Sequence, residues 1–321
     1  MRRVRYFVVD VFSKRPLAGN PLAVFPDRSL LRENELQRVA RELNLSETVF
    51  VEPSGEEGAL RRLRIFTPAA ELPLAGHPVI GTWHLLAERG IVDFDEALRE
   101  GLVESEAADG GGEKLRFRHE LKAGVLPMTI YRDGGAVSAV AMDQAPPEFG
   151  EEVRDLGLAA EAVGVDEADI ESTGLLPQAV STGMFILMLP LATRDALSGV
   201  RLDLAAVERL CGEAGCGGIY AHTREAEEEW AFVRARGFFP GFGVPEDPAT
   251  GSAAGCLGAY LARHRVLDAR GTVAFHIEQG YEIGRPSRIG VEVTEENDEV
   301  TRVRIVGSAV VVAEAEMLLP D

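Results

Sequence analysis

The sequence has 321 residues, of which 46% are hydrophobic and 26% are charged, so it predicts a globular protein with enough chain for two domains of roughly 150 residues each. Acidic residues outnumber basic ones by 52 to 33, and the net charge of −19 argues against nucleic acid or an anionic membrane surface as a partner. The sequence contains no run of about 18 apolar residues, so it predicts no membrane-spanning helix.

Three cysteines, Cys211, Cys216 and Cys256, cannot all pair within one chain, and they form no CxxC motif. This usage favours free thiols and a reduced, cytoplasmic setting. The first apolar run stops at Asp10, which is too early for a signal peptide.

The first part of the chain alternates strand-like and helical patterns. Strands are predicted at residues 4–12, 21–25, 48–51 and 60–66, and a helix at 32–43. Asn20 closes the turn between the first two strands, where it either serves a simple hairpin connection or presents its amide to a ligand.

Glu47 lies at the junction between a polar turn and an apolar strand. A carboxyl group in such a place is partly removed from water, which suits it to proton transfer near neutral pH. A solvated turn glutamate is the alternative interpretation.

The stretch ELPLAGHPVIGTWHLL at residues 71–86 is the first candidate for chemistry. Its prolines and glycine indicate a turn, after which a helix is predicted to begin near His77. The residues from Val79 onward are apolar or small on nearly every face, which is typical of a helix surrounded by protein. The N-terminus of such a helix offers N–H groups and a positive dipole end to an anion such as a carboxylate.

A similar stretch, EDPATGSAAGCLGAYL, occupies residues 246–261, and it also predicts a turn leading into a buried helix. Aligning Gly76 with Gly251 places His77 on Ser252, which suggests a duplicated unit with one apolar helix in each half.

The other segments contain mostly strands. A polar, glycine-rich loop is predicted at 93–113; strands at 115–118, 125–131, 136–142, 184–189, 217–222, 230–236, 273–278, 289–293 and 303–313; and helices at 159–163 and 204–211. Each half therefore combines many strands with one buried helix, and the predicted class is α+β.

The six histidines form no HExxH or similar metal-ligand pattern, so we expect no metal site. The sequence also lacks GxGxxG after a strand, GxxxxGK[ST] and GxSxG, so it supports neither a nucleotide cofactor nor serine-hydrolase chemistry.

Five blocks of sequence, spread over the whole chain, resemble the PhzF-like family, which is named for the phenazine-biosynthesis isomerase. The blocks are FVVDVF with LAGNPLAV at 7–24, LSETVF at 45–50, FTP with LPLAGHP at 66–78, EDPATGSA at 246–253, and QG with GRPS at 279–287.

The resemblance implies the diaminopimelate epimerase-like fold: two similar halves, each a curved, mostly antiparallel, barrel-like sheet wrapped around a central helix, with the active site at their interface. The expected halves are residues 1–117, to which 300–321 return, and 118–299. A homodimer is also expected by resemblance.

The resemblance implies that Glu47 is the proton-transferring acid and base, with His77 and Asp247 completing the polar site. The residues expected to contact the substrate are Asn20, Ser46, Gly76, Thr250, Gly251 and Ser252. A glutamate can remove a proton from a carbon beside a π system and return it elsewhere without a cofactor. His77, at a helix N-terminus, is expected to be neutral.

The leading hypothesis is a cofactor-independent isomerase of a small carboxylated, cyclic or conjugated metabolite. An amino-acid epimerase or racemase is one alternative, but epimerases of this fold use two cysteines at the helix starts, whereas Cys256 lies one turn inside its helix. A non-catalytic protein that binds small carboxylates is the other alternative.

Overall fold

The computed structural model describes residues 1–108 and 111–321, which form two compact units. The first unit comprises Met1–Met142 and Val306–Asp321, and the second comprises Asp143–Ile305. Across the described residues, no helix is both long and apolar enough to cross a bilayer.

The secondary structure is dominated by strands. The first nine strands are β1 (Arg2–Val11), β2 (Asn20–Phe25), β3 (Glu47–Glu52), β4 (Ala59–Phe66), β5 (Glu71–Leu72), β6 (Val103–Ala107), β7 (Glu113–Leu121), β8 (Gly124–Asp133) and β9 (Ala136–Asp143). The later strands are β10 (Glu148–Glu152), β11 (Gln178–Ser181), β12 (Phe185–Pro190), β13 (Ile219–Thr223), β14 (Val233–Phe239), β15 (Val244–Asp247), β16 (Gly271–Gln279), β17 (Ser287–Glu296), β18 (Glu299–Gly307) and β19 (Ala309–Leu319). The helices are α1 (Leu36–Leu43), α2 (Gly76–Glu88), α3 (Phe94–Arg99), α4 (Leu156–Val163), α5 (Glu167–Glu171), α6 (Arg194–Gly199), α7 (Leu204–Ala214) and α8 (Gly251–Arg263).

The sheet of the first unit pairs its strands in the order β19, β1, β2, β3, β4, β7, β8 and β9, with β5 on β4 and β6 on β7. The pairs β2–β3 and β4–β7 are parallel, and the others are antiparallel. The last strand of the chain therefore completes the sheet that the first strand begins.

The sheet of the second unit follows the same scheme. Its order is β10, β11, β12, β13, β14, β16 and β17, with β15 on β14, and its parallel pairs are β12–β13 and β14–β16. The succession of antiparallel and parallel pairs from β19 to β8 thus recurs from β10 to β17. This arrangement confirms the predicted α+β class and the similarity of the two halves.

Each unit contains one helix that is buried on nearly every face, as the two apolar stretches predicted. In the first unit α2 contacts β1, β2, β3 and β19, and its residues 77–86 are all buried. In the second unit α8 contacts β11, β12 and β17. Further apolar side chains of the second sheet, such as Leu187 and Ile219, pack against α4, α6 and α7.

The boundary between the units lies after Met142 and not at residue 117. β7 runs across residue 117 and pairs with both β4 and β8, so residues 118–142 continue the first sheet. The single strand predicted at 303–313 belongs to two strands, because Ser308 separates the end of β18 from the start of β19.

The predicted loop at 93–113 is wrong in part, because it contains α3 and β6. The carboxylate of Asp93 accepts the backbone N–H of Glu96 at 2.9 Å and so caps α3, while Phe94 and Ala97 are buried. Two residues of the predicted loop, Asp109 and Gly110, lie outside the described residues.

Candidate active site

Glu47 is the first residue of β3 and lies at the end of the turn that follows α1. The helix ends because Asn44 adopts a left-handed conformation, with φ of 50°, and its N–H bonds to the carbonyl of Ala40. β3 then pairs with β2 in parallel, with Glu47 opposite Leu22. The Glu47 side chain is only 15% exposed, so its carboxylate is largely removed from bulk water.

His77 is the second residue of α2 and lies beside this carboxylate. Its Nε2 atom is 3.1 Å from Glu47 Oε2, and the His77 side chain is buried. The two atoms are at hydrogen-bonding distance, although the N–H is not well aligned with the oxygen. Catalytic hydrogen bonds often become fully aligned only in the substrate complex.

Asn20 and Ser46 lie on the Nδ1 side of the His77 ring. The Ser46 hydroxyl donates to Asn20 Oδ1 at 3.2 Å, and Asn20 Nδ2 lies 3.4 Å from His77 Nδ1. An amide nitrogen can only donate, so this contact suits the tautomer of His77 in which Nδ1 accepts and the proton lies on Nε2, the atom that faces Glu47.

Gly19 fixes the position of Asn20. Its φ is +70°, and a Cβ atom there would lie 2.2 Å from the carbonyl oxygen of Val11, so only glycine fits. The backbone therefore enters β2 in one conformation, and Asn20 is held in a fully buried position.

The N-terminus of α2 presents backbone N–H groups close to these side chains. The residue before the helix, Ala75, has no side chain that could cap it, and Gly76 and His77 occupy the first turn. First-turn N–H groups and the positive end of the helix dipole form an anion-binding arrangement.

In the second unit, Asp247 and Thr250 form a tight turn before α8. The Thr250 hydroxyl donates to Asp247 Oδ2 at 2.5 Å and makes no cap for the helix. The first turn of α8 begins with Gly251 and Ser252, and its N–H groups donate no hydrogen bond to the Thr250 side chain.

Gln279 holds this turn through both ends of its amide. Its Oε1 accepts the N–H of Thr250 at 3.1 Å, and its Nε2 donates to the carbonyl of Asp247 at 2.7 Å and to the Thr250 hydroxyl at 3.1 Å. Tyr220 donates its hydroxyl to the same Oε1 at 2.8 Å. Burial is the main cause of the raised pKa of Tyr220, and the charge of Asp247 raises it further. The hydroxyl therefore keeps its proton and remains a donor.

Sequence reasoning gave neither Gln279 nor Tyr220 a role. The QG pair at 279–280 belonged to a recognised block, and this was the signal that could have indicated Gln279. Tyr220 lies within an apolar strand and had no such signal. Each unit therefore gathers its own predicted residues: Asn20, Ser46, Gly76, Glu47 and His77 in the first, and Asp247, Thr250, Gly251 and Ser252 in the second.

Cys256 is fully buried inside α8, and its Sγ lies 3.4 Å from the Thr182 hydroxyl. Burial raises its pKa to about 11. Within residues 1–108 and 111–321, no three His, Cys, Asp or Glu side chains come together as a metal site would require. The absence of a metal stays a prediction.

The chain is similar in sequence to known proteins over nearly its whole length. Residues 9–315 match the family model described as "Phenazine biosynthesis-like protein". The chain is 35% identical over 318 residues to the trans-2,3-dihydro-3-hydroxyanthranilate isomerase of Pseudomonas fluorescens, covering 98% of this chain and 99% of that protein. It is 30% identical over 322 residues to an uncharacterised isomerase of Clostridium acetobutylicum, covering 99% of both chains.

A solved structure is similar over nearly the whole chain. The PhzF-family phenazine biosynthesis protein of Bacillus anthracis superimposes with a TM-score of 0.84 at 29% identity, covering 99% of this chain and all of that one.

Proposed function

The chain belongs to the phenazine biosynthesis-like family of isomerases, and we propose that it moves a proton on a small carboxylated, cyclic or conjugated metabolite without a cofactor. The observation that carries the proposal is the 3.1 Å approach of His77 Nε2 to the shielded carboxylate of Glu47.

In the proposed reaction, Glu47 removes a proton from a carbon beside the substrate's π system. The C–H bond breaks, Glu47 becomes a carboxylic acid, and the electron pair is delocalised towards the substrate carboxylate. Glu47 then returns the proton to a different carbon of the same system, which completes the isomerisation. The Nε2–H of His77 stabilises the carboxylate form of Glu47 at the start and at the end.

In the proposed complex, backbone N–H groups at helix N-termini bind the carboxylate of the substrate. Candidates are Gly76 on α2, and Gly251 and Ser252 on α8. A chain with a net charge of −19 needs local groups of this kind to attract an anion. Asp247 has the charge to pair with a substrate amino group, and the relative from Pseudomonas fluorescens is named for an amino-carboxylate ring compound.

A Glu47→Gln variant tests the proposed base. The amide retains the shape of the side chain but cannot take up the proton, so we expect kcat to fall by about 10²–10⁴-fold. The assay follows turnover of trans-2,3-dihydro-3-hydroxyanthranilate or related carboxylates in heavy water, where the wild-type product acquires solvent deuterium.

Glu42→Gln, on the exposed side of α1, is the matched control and should turn over normally. Circular dichroism checks that both variants are folded. A normal rate in Glu47→Gln would show that the proposed base is wrong.

The two alternatives predict different results. A protein that only binds would be stabilised by small carboxylates in a thermal-shift assay with no turnover of any of them. A two-thiol epimerase would lose activity on thiol alkylation, but the buried Cys256, with its raised pKa, does not favour that chemistry. The expected homodimer and the expected cytoplasmic location stay predictions.

A further inference from the structure

The end of α7 brings two of the three cysteines together. Gly215 follows the helix in the left-handed conformation, with φ of 65°, and its N–H bonds to the carbonyl of Cys211. The N–H of Cys216 bonds to that same carbonyl at 3.0 Å. In helix ends of this kind, the side chains at the positions of Cys211 and Cys216 contact each other.

The contact usually joins two apolar side chains, but here it joins two thiols. The thiols of Cys211 and Cys216 are close enough to influence each other's ionisation, and both side chains are partly exposed. A disulfide spans Cα separations of about 4.4–6.8 Å, and the backbone hydrogen bond from Cys216 to Cys211 closes the turn between these two residues. Closing a bond between the sulfur atoms therefore requires mainly side-chain rotation.

The two thiols are not equivalent. The neighbouring Cys211 thiol is the largest influence on Cys216 and lowers its pKa; burial opposes this shift, and the backbone N–H of Gly218 adds to it. The same contact, together with burial, raises the pKa of Cys211. Cys216 is thus the more acidic thiol of the pair, and the thiolate is the form that reacts with oxidants.

We propose that Cys211 and Cys216 are a reversible redox pair that closes an intramolecular disulfide when the protein meets a peroxide. In the first step the Cys216 thiolate attacks one oxygen of hydrogen peroxide and the O–O bond breaks. Hydroxide departs, and Cys216 becomes a sulfenic acid. In the second step the Cys211 sulfur, having lost its proton, attacks the sulfenic sulfur and water leaves. Overall, two thiols lose two electrons and two protons, and one peroxide becomes two molecules of water.

Peptide mass spectrometry on the intact, folded chain tests the proposal. Trypsin releases both cysteines in one peptide, residues 210–224, and Cys256 in another, residues 237–263. After treatment with hydrogen peroxide and alkylation of the remaining thiols, we expect peptide 210–224 to be two hydrogens lighter and unalkylated. Dithiothreitol should restore both thiols.

Cys256 is the internal control, because it is buried and its Sγ lies beside the Thr182 hydroxyl. Alkylation before oxidation should label Cys216 first, and Cys256 only after denaturation.

Single variants separate the roles of the two thiols. Cys211→Ser should leave a Cys216 sulfenic acid that dimedone traps, Cys216→Ser should abolish the peroxide reaction at 211, and Cys256→Ser should keep the disulfide. If folded wild-type protein retained two alkylatable thiols in peptide 210–224, or if its disulfide joined two chains, the proposal would be overturned.

Discussion

Gln279 holds the Asp247 turn from a distant point in the sequence. Parallel pairing of β14 with β16 puts Gln279 opposite Ala235, and the neighbouring Gly237 leaves room for the amide. A Cβ atom at Gly237 would lie 2.9 Å from the Thr250 hydroxyl and 3.2 Å from Gln279 Nε2. The turn that carries Asp247 therefore depends on the strand next to it.

A Gln279→Leu variant should lose about 2–4 kcal/mol of unfolding free energy. The substitution removes the partners of the Thr250 N–H, the Asp247 carbonyl and the Tyr220 hydroxyl, and an unsatisfied buried group costs about 1–3 kcal/mol. Urea unfolding followed by circular dichroism measures the loss.

Tyr220→Phe is the matched control, because it removes one hydrogen bond to Gln279 and leaves the Thr250 N–H satisfied. Its expected cost is about 1 kcal/mol. Equal losses in the two variants would show that Gln279 does not hold the turn.

The sequence predicted which turn residues belong to the candidate site but not what holds them. Asn20, Glu47 and His77 lie in local motifs, and local motifs can be recognised in one sequence. The hydrogen bonds of Gln279 and Tyr220 depend on strand pairing between distant segments, and residue order does not encode that pairing in any local pattern.

At the scale of elements, each buried helix approaches its sheet closely at a glycine. In α8, a Cβ atom at Gly258 would lie 2.7 Å from a methyl group of Val291 and 2.8 Å from one of Val293. β-branched side chains have few alternative rotamers, so these methyl groups cannot easily move away.

Gly258→Ala should therefore destabilise the protein, although alanine is the better helix former. The helix propensity gain is about 1 kcal/mol, but overpacking a core costs about 1–3 kcal/mol, and the two fixed valines favour the upper part of that range. We expect a net loss of about 1–2 kcal/mol in the free energy of unfolding in urea.

Gly212→Ala in α7 provides the opposite case, because nothing lies within 4 Å of a Cβ atom there. This variant should gain about 0.5–1 kcal/mol. A gain in both variants would mean that α8 has room to shift.

Pattern length explains which elements could be predicted. α2 and α8 are each 13 residues long and apolar around their circumference, so their burial was evident from the sequence. α3 has six residues and buries only Phe94 and Ala97, which is too few to establish a helical period. Its glycine-rich, acidic surroundings favoured the incorrect prediction of a loop.

At the scale of the whole molecule, buried histidines link stability to pH. Burial lowers the pKa of His119 to about 3 and that of His222 to about 4; burial, with the charge of Lys14, lowers that of His84 to about 4. An unfolded histidine titrates near 6.5, so between about pH 6.5 and 4 the unfolded chain binds protons that the folded chain does not.

The free energy of unfolding should therefore fall as the pH falls below 6.5 and level off below the folded pKa values. The contribution of each histidine approaches about 1.4 kcal/mol per pH unit well below pH 6.5, and the three together contribute about 3 kcal/mol between pH 6.5 and 5.5. Carboxylates with lowered pKa, such as Glu71 and Glu282, act only near and below their ordinary pKa, about 4.5. Urea unfolding at pH 7.5, 6.5 and 5.5 measures the slope.

A His119→Asn variant isolates one of these groups. Its Oδ1 can replace the Nδ1 that accepts the Trp83 indole N–H at 3.1 Å, but the amide does not titrate. The slope below pH 6.5 should become shallower by about 1.4 kcal/mol per pH unit. An unchanged slope would exclude His119 as a source of the pH dependence.

The boundary between the units could not be read from composition. The glycine-rich segment near residue 110 looked like a linker, but β7 resumes the first sheet immediately after it. The actual boundary follows Met142, at the end of β9, where the sequence contains no glycine-rich segment. A loop within one sheet and a connection between two units have similar amino-acid compositions. Only the hydrogen-bonded pairing of the flanking strands distinguishes them.

The pairing of β19 with β1 also affects biosynthesis on the ribosome. β1 is translated long before β19, the strand that covers its outer edge, because the whole second unit lies between them in the sequence. Until β19 is made, the first unit has an open strand edge and an incompletely covered α2, whereas all the strands from β10 to β17 are already available for pairing. Translation order therefore favours completion of the β10–β17 sheet before completion of the first unit's sheet.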